Sequence, residues 1–355
     1  MNHSSNRQFC EAMLPRVSRT FAACINLLPK VLAYEVLISY LLCRVADTIE
    51  DHPTLPGPDK RALLAIFAQA LNQPNCDVSK ISILFATTDE GPSADSELTA
   101  ACHRVINEFH ALSPAAQRAI APWVKEMCQG MADFSNDQRY HEASKGVSAL
   151  LEIEDLDRYC YYVAGTVGHL LTALFPLHHR RLNARHQRRL KELATSFGLG
   201  LQLTNIIKDV ADDARRGWSF VPRELCQRFD TSPEFLLDPQ RQDAARAVMQ
   251  QLIAKAQQHL DDALAYCLAL PRSAYRIRLF CLTPMYFALR TLHRARHDPQ
   301  LLNPDHKVKI SRKEVYAILR TTMLVAPNNN LVRTYYRRLK SRQPDPTATL
   351  EKGAI

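Results

Sequence analysis

Two short acidic clusters in this sequence have the residue types and spacing for metal-assisted chemistry. Asp47-Thr48-Ile49-Glu50-Asp51 and Asp209-Val210-Ala211-Asp212-Asp213 both put carboxylates at i, i+3 and i+4, positions that are neighbours on one face of a helix. Each cluster closes an apolar stretch, with Val36 to Leu42 ahead of the first and Phe197 to Ile207 ahead of the second. Helix C-termini disfavour negative charge, so three crowded carboxylates there call for a cation. Hard oxygen donors suit Mg²⁺, which takes one or two carboxylates and fills its shell with water and substrate phosphate. Two such clusters could face each other across a helix bundle and hold diphosphate through bridging magnesium. Two solvated acidic helix ends would show the same spacing, but the repeat after two long apolar helices favours metal binding.

Helices must carry these carboxylates, and the composition offers little else. The chain has 355 residues, 46% hydrophobic and 23% charged, with only 10 glycines, while Leu, Ala, Arg and Gln abound. That mix suits a globular helical protein. No GxGxxG or GxxxxGK[ST] run occurs, which argues against the familiar nucleotide folds. No strand pattern recurs, so the fold class expected is all-α, as one domain over 9–340 between a loose N-terminus (1–8) and a polar, disordered tail (341–355). Helices are expected from Phe9 to Asp51 with a break at Leu28-Pro29, then over 61–71, 98–112, 114–138, 154–175, 190–213, 241–269, 273–297 and 311–324. The proline-rich 52–60 reads as a loop, and 140–148 reads as an ordered lid.

The net charge is +9 with a pI near 9.1, which fits nucleic acid, an anionic membrane surface or a polyanionic substrate. Basic runs at 178–189 and 334–342 sit in no recognised nucleic-acid module, so they read as solvated or membrane-facing surface and no nucleic acid is expected. The ten cysteines form no CxxC pair and no signal peptide precedes them, as expected for thiols in a reducing cytoplasm. The charge-free run Tyr159 to Leu177 is long enough to raise the question of a membrane span. His169, Gly165, Gly168, three tyrosines and Pro176 make it a better buried core helix. His293 and His297 stand at the i, i+4 spacing of zinc ligands but have no third partner, and are expected as exposed helix histidines.

Four ordered segments bear a family resemblance. They are Ser18-Arg19-Thr20-Phe21, the run Tyr40 to Asp51 (YLLCRVADTIED), Tyr159 to Gly168 (YCYYVAGTVG) and Gln202 to Asp209 (QLTNIIKD). Together they resemble the signatures of the squalene/phytoene synthase family over about Val17 to Lys313, with wording nearer to its squalene synthases. The resemblance implies a single all-α isoprenoid synthase domain with a central cavity and aspartate-rich metal sites. It also implies head-to-head condensation of two farnesyl diphosphates through presqualene diphosphate, followed by NADPH reduction to squalene.

The resemblance implies a role for each matching residue. Asp47, Asp51, Asp209 and Asp213 would hold Mg²⁺, with Glu50 and Asp212 as further ligands or supports. Ser18, Arg19 and Arg44 match phosphate-binding positions, and a guanidinium fork suits phosphate oxygens. Arg44 as a plain ion-pair partner of Asp47 or Asp51 is compatible with that role. Gln202 and Asn205 lie two turns and one turn before Asp209 on its helix face and could reach phosphate, metal or water. Tyr159 matches a tyrosine assigned to proton removal with help from departing diphosphate. A phenol with a pKa near 10 is a poor base alone, so hydrogen bonding or cation stabilisation is an equal reading. Tyr40, Phe21 and Phe280 could offer ring faces to a carbocation or simply fill the core.

For NADPH, the run Lys307 to Lys313 (KVKISRK) resembles a basic cofactor segment in which Lys309 matches. Ser311 interrupts it, so Arg312 would substitute one residue late, or Ser311 merely caps a helix. After the second cluster, Arg215-Arg216-Gly217-Trp218 departs from the family's Gly-Arg step and leaves open which base reaches phosphate. Non-reductive release of dehydrosqualene or presqualene diphosphate is the alternative, and a non-catalytic lipid-binding factor is a more distant one. Expected partners are farnesyl diphosphate and peripherally a membrane surface, with a monomer favoured and the inner membrane face as a location.

Overall fold

The computed structural model describes residues 3–86, 93–137, 140 and 146–341. The chain is all-α, as expected. Its helices are α1 (His3–Val17), α2 (Arg19–Ile25), α3 (Lys30–Glu50), α4 (Gly57–Ala70), α5 (Ser79–Ala86), α6 (Ala94–Ala100), α7 (Cys102–His110), α8 (Pro114–Asn136), α9 (Ile153–Cys160), α10 (Thr166–His178), α11 (Ala184–Arg215), α12 (Arg223–Gln227), α13 (Gln242–Ala269), α14 (Tyr275–His297), α15 (Arg312–Val325) and α16 (Asn329–Ser341). Among the described residues the strands β1 (Ser148–Ala149) and β2 (Trp218–Ser219) are two residues each and pair in parallel.

Two compact units make up the chain: Met1–Arg139 with Arg158–Gly198, and Tyr140–Asp157 with Leu199–Ile355. In the first, α3 positions the first acidic cluster. It runs through its 21 residues without Gly or Pro, and Leu32, Val36, Leu41, Leu42, Val45 and Ile49 turn inward at helical spacing. That periodic face packs on α7 and α8 and leaves Tyr40, Arg44, Asp47, Thr48 and Glu50 half-buried, while Glu35 and Ser39 are buried. In the second unit α14 is the central helix, with almost every residue from Ile277 to Ala295 buried. Its buried Arg278 donates to the carbonyls of Leu270 (2.7 Å) and Ala326 (2.9 Å) and to Asn329 Oδ1 (2.7 Å), so the charge is satisfied inside the core.

Several expectations need correction. Of the N-terminal residues 1–8 expected to be loose, those from His3 on belong to α1. Arg104 fastens it through Asn6 Oδ1 (3.1 Å) and the Ser5 carbonyl (2.8 Å), and Asn6, Cys10, Met13 and Leu14 form its buried stripe. The loop after the first cluster ends early, since α4 starts at Gly57 and takes Pro58 into its first turn, where a missing N–H costs nothing. The single helix expected over 98–112 is two, α6 and α7, and α5, α12 and α16 are additional. His293 is 9% exposed and its ring lies 4.5 Å from that of His297, so it is buried and not on the surface. Part of the 178–189 run is structural: His178 bonds buried Glu35 (2.6 Å), and Asn183 caps α11 through His186 N (3.1 Å). The lid expected over 140–148 falls largely outside the described residues, as does the tail beyond Ser341. All ten cysteines are free, eight of them buried.

The segment Ile153–His178 is long and apolar enough to cross a membrane, with a mean hydropathy of 1.3, and half of the qualifying window is buried. Its interior is not uniform α-helix. Tyr161–Gly165 forms a π turn between α9 and α10, in which Thr166 N–H reaches the Tyr161 carbonyl.

Candidate active site

The first cluster sits at the end of α3, with Asp51 as its C-cap. One turn earlier, Arg44 Nη1 donates to Asp47 Oδ2 at 2.8 Å. Its Nε and Nη2 form a two-pronged bond to Asp95 at 2.8 and 3.0 Å. The guanidinium is thus held in one orientation between two carboxylates. Lys60 Nζ donates to the Glu50 carbonyl, placing a cation where the α3 dipole favours one. Tyr40, one turn before Arg44, stacks its ring on Phe21 at 5.4 Å. Ser18 caps α2 by accepting from Phe21 N at 3.2 Å. Arg19 is exposed beside it.

Electrostatics mark this cluster as short of positive charge. Burial and the neighbouring Asp51 push the Asp47 carboxyl up from 3.8 to about 7 despite Arg44. Glu50 rises well above its ordinary value, first through burial and then through Asp51 and Asp47. Its Oε2 is buried with no hydrogen-bond partner. An orphaned carboxylate oxygen among hard-oxygen neighbours fits a divalent cation. Among the described residues no three His, Cys, Asp or Glu side chains converge on one point, so the cluster is not a closed protein cage. That suits Mg²⁺, which keeps waters and substrate phosphate as ligands.

Tyr159 joins the same cluster. It is 6% exposed and packs edge-on to Phe134 at 5.5 Å. Burial first, then Glu50, Asp51 and Asp47, push its phenol well above the ordinary range. These causes place it in the field of the α3 carboxylates, a neighbourhood that only the fold creates.

In the second unit each acid of the second cluster has its own base. Lys208 pairs with Asp209, Lys307 Nζ reaches Asp212 at 2.7 Å, and Arg216 pairs with Asp213. Lys307, Arg215 and Arg216 hold the Asp212 carboxyl below its usual range, chiefly through the Lys307 hydrogen bond. Arg215 makes its own ion pair with Asp305 at 2.5 Å, so of the two bases before Gly217 it is Arg216 that is paired within the cluster. Gly217, at φ +76°, turns the chain out of α11 in the left-handed region. Gln202 is half-buried and Asn205 exposed on α11, while Phe280 is 3% exposed inside α14.

The basic run 307–313 is divided by the fold. Lys307 belongs to the second cluster. Ser311 caps α15 in a reciprocal box with Glu314, and Glu314 also binds Arg290 (2.8 Å) and Arg294 (2.7 Å). Lys309 and Arg312 remain exposed. Sequence reasoning missed Asp95 as the partner of Arg44, and Lys60, Lys208, Lys307 and Arg216 as cations beside the acids. Adjacency could have flagged Lys208 and Arg216, but nothing local marks the other three.

Helices that bring aspartate-rich ends to the surface of both units, one with an oriented arginine and a buried tyrosine, define an all-α fold of the squalene synthase type. The chain belongs to the squalene/phytoene synthase family, which it matches over residues 14–314. Squalene synthase of Cyberlindnera jadinii is 29% identical over 342 residues, covering 95% of this chain and 72% of that protein. Squalene synthase ERG9 of Candida albicans is 32% identical over 304 residues, covering 84% and 64%. The solved complex of TcSQS with a ligand superposes with a TM-score of 0.79 at 27% identity, covering 96% of this chain and 93% of that one.

Proposed function

We propose that this chain is a squalene synthase, a farnesyl-diphosphate farnesyltransferase that joins two farnesyl diphosphates head to head and reduces the product. The observation that carries this reading is the α3 end, where Glu50 Oε2 is buried without a partner beside Asp47, Asp51 and an arginine fixed by Asp95. Asp47, Asp51, Asp209 and Asp213 would hold Mg²⁺, with Glu50 and Asp212 supporting. When bound, Mg²⁺ neutralises charge developing on the leaving diphosphate. Arg44 keeps its fork aligned for phosphate because Asp95 and Asp47 restrict its rotation. Ser18 and Arg19, beside the α2 start, are the further phosphate contacts, and Gln202 and Asn205 extend the Asp209 face.

The stacked Phe21 and Tyr40 rings offer π faces to an allylic cation, and Phe280 contributes an apolar wall in its own unit. Tyr159 stays protonated at Oη in the metal-free chain, because both burial and the acids disfavour its phenolate. Its first role is therefore to donate a hydrogen bond, with the departing diphosphate taking the proton when the cyclopropyl ring closes. When bound, NADPH supplies the hydride that quenches the last carbocation. Lys309 and Arg312, exposed and basic, would hold its phosphates. The domain reading is one isoprenoid synthase domain over 9–340. The enzyme works as a cytoplasmic monomer placed peripherally on a membrane, where an insoluble hydrocarbon product can leave.

Purified protein incubated with farnesyl diphosphate and Mg²⁺, with and without NADPH, tests this reading. Squalene in the organic extract only when NADPH is present is the expected result. Dehydrosqualene or presqualene diphosphate regardless of NADPH would transfer the assignment to the non-reductive alternative. In the double variant Lys309→Ala/Arg312→Ala, KM for NADPH is expected to rise about tenfold or more, as for loss of a charged hydrogen bond. Presqualene diphosphate should accumulate while its own formation is unchanged. An unaltered KM for NADPH would remove these two residues from the cofactor site.

A further inference from the structure

The last two helices carry a surface that the synthase chemistry does not use. α15 turns Ile318 and Thr322 into its unit, and Glu314 is bonded inward to Arg290 and Arg294. What it leaves outside is one arc: Lys313, Tyr316, Ala317, Arg320, Met323 and Leu324 are all exposed and recur at steps of three and four. Leu324 is 76% exposed and Tyr316 66%. Of the seven large hydrophobics exposed among the described residues, Tyr316, Met323, Leu324 and Leu331 lie on α15 and α16. No Asp or Glu occurs between Val315 and Ser341, whereas Arg320, Arg333, Arg337, Arg338 and Lys340 do. On α16 the buried side is Val332, Tyr336 and Leu339, which leaves Arg333, Arg337 and Arg338 to solvent, while Lys340 pairs with Asp261 of α13.

A helix face that mixes large apolar side chains, an aromatic and cations without any acid has the chemistry of an interfacial helix. The apolar groups gain by leaving water, and each base near an anionic surface adds about 1 kcal/mol. A polyanion in solution, such as a nucleic acid, would use the arginines but would leave Leu324 and Met323 wet. We propose that the outward arc of α15, flanked by the bases of α16, docks on an anionic lipid bilayer. Tyr316, Met323 and Leu324 enter the headgroup boundary and Arg320 meets lipid phosphate. This rests on the peripheral-membrane reading above and assigns it a surface, and it is independent of the catalytic residues.

Vesicle flotation of the full chain tests it, with phosphatidylcholine alone and with phosphatidylcholine mixed with phosphatidylglycerol. The wild-type chain is expected to float with the mixed vesicles and to be released by salt. Leu324→Glu should lower partitioning by about tenfold or more, the milder Tyr316→Ser severalfold, and Arg320→Glu should reduce both partitioning and its salt sensitivity. Val31→Glu, at a residue 65% exposed in the other unit, should float like wild type. All four variants should form squalene at the wild-type rate in detergent, an arm that reports on the synthase reading separately. Failure of the wild-type chain to float would overturn the proposal. So would flotation unaffected by Leu324→Glu, or loss on Arg320→Glu alone together with displacement by a mixed-sequence oligonucleotide.

Discussion

Asp51→Asn is expected to lower squalene formation on the order of a thousandfold, the scale of several kcal/mol that a metal supplies to transition-state charge. The same substitution should stabilise the metal-free protein. Asp51 is the second cause, after burial, of the raised proton affinities of both Asp47 and Glu50, so neutralising it relieves both repulsions at a helix end that already disfavours anions.

The sign with pH follows from linkage. Asp47 titrates near 3.8 unfolded and about 7 folded. Through that window the native state holds a proton that the unfolded chain has released. Its contribution therefore falls as pH rises from about 4 to 7 and stays lost above that. Melting temperatures of metal-free protein should show the advantage of Asp51→Asn widening from pH 5 to pH 8, to about 1–3 °C at the upper end. Adding Mg²⁺ with inorganic diphosphate should stabilise wild type more than the variant. A variant that keeps full turnover, or loses stability at pH 8, would contradict the site. The trade of stability for function would then have no basis at this cluster.

Gly198→Ala is expected to be the most damaging single-atom change in the first unit. A Cβ there would lie 2.2 Å from the Ala164 carbonyl oxygen and 2.5 Å from its carbon. Both sides of this contact are backbone, so neither can swing away. α11 and the π turn Tyr161–Gly165 would have to separate, and Gly168, just beyond that turn on α10, approaches α11 as closely, since a Cβ there would lie 2.1 Å from the Ala194 carbonyl oxygen. Overpacking of this kind costs about 1–3 kcal/mol when side chains can adjust, and here the upper end or more. Gly130→Ala meets side-chain atoms instead, Tyr162 Cγ at 2.0 Å and Cδ1 at 2.3 Å; ring rotation leaves Cγ in place, so the whole Tyr162 side chain must change rotamer, a smaller cost than parting two backbones. Urea midpoints rank the two. Activity of Gly198→Ala should fall as well, because Tyr159 lies two residues before the start of the segment that must move. A midpoint equal to the parent's would show that the helices have slack that the close approach denies.

The sequence alone determined the elements that carry the site. A 3.6-residue repeat of apolar side chains is written in near neighbours, which is why α3, α11 and α13 to α15 were legible within a few residues. The carboxylate triplets were legible for the same reason, since i, i+3 and i+4 share a face in any helix. Ser311 as a cap was equally local.

Pairing was decided by the tertiary structure. Arg44 found Asp95 across 51 residues and Lys307 found Asp212 across 95, and a charge partner has no period to betray it. Tyr159 came under the α3 carboxylates, more than a hundred residues earlier in the chain, only through the packing of the first unit. α1 extended to His3 because Arg104 was there to hold it. Helix periodicity fixes which side a residue faces, but only packing decides what waits on that side.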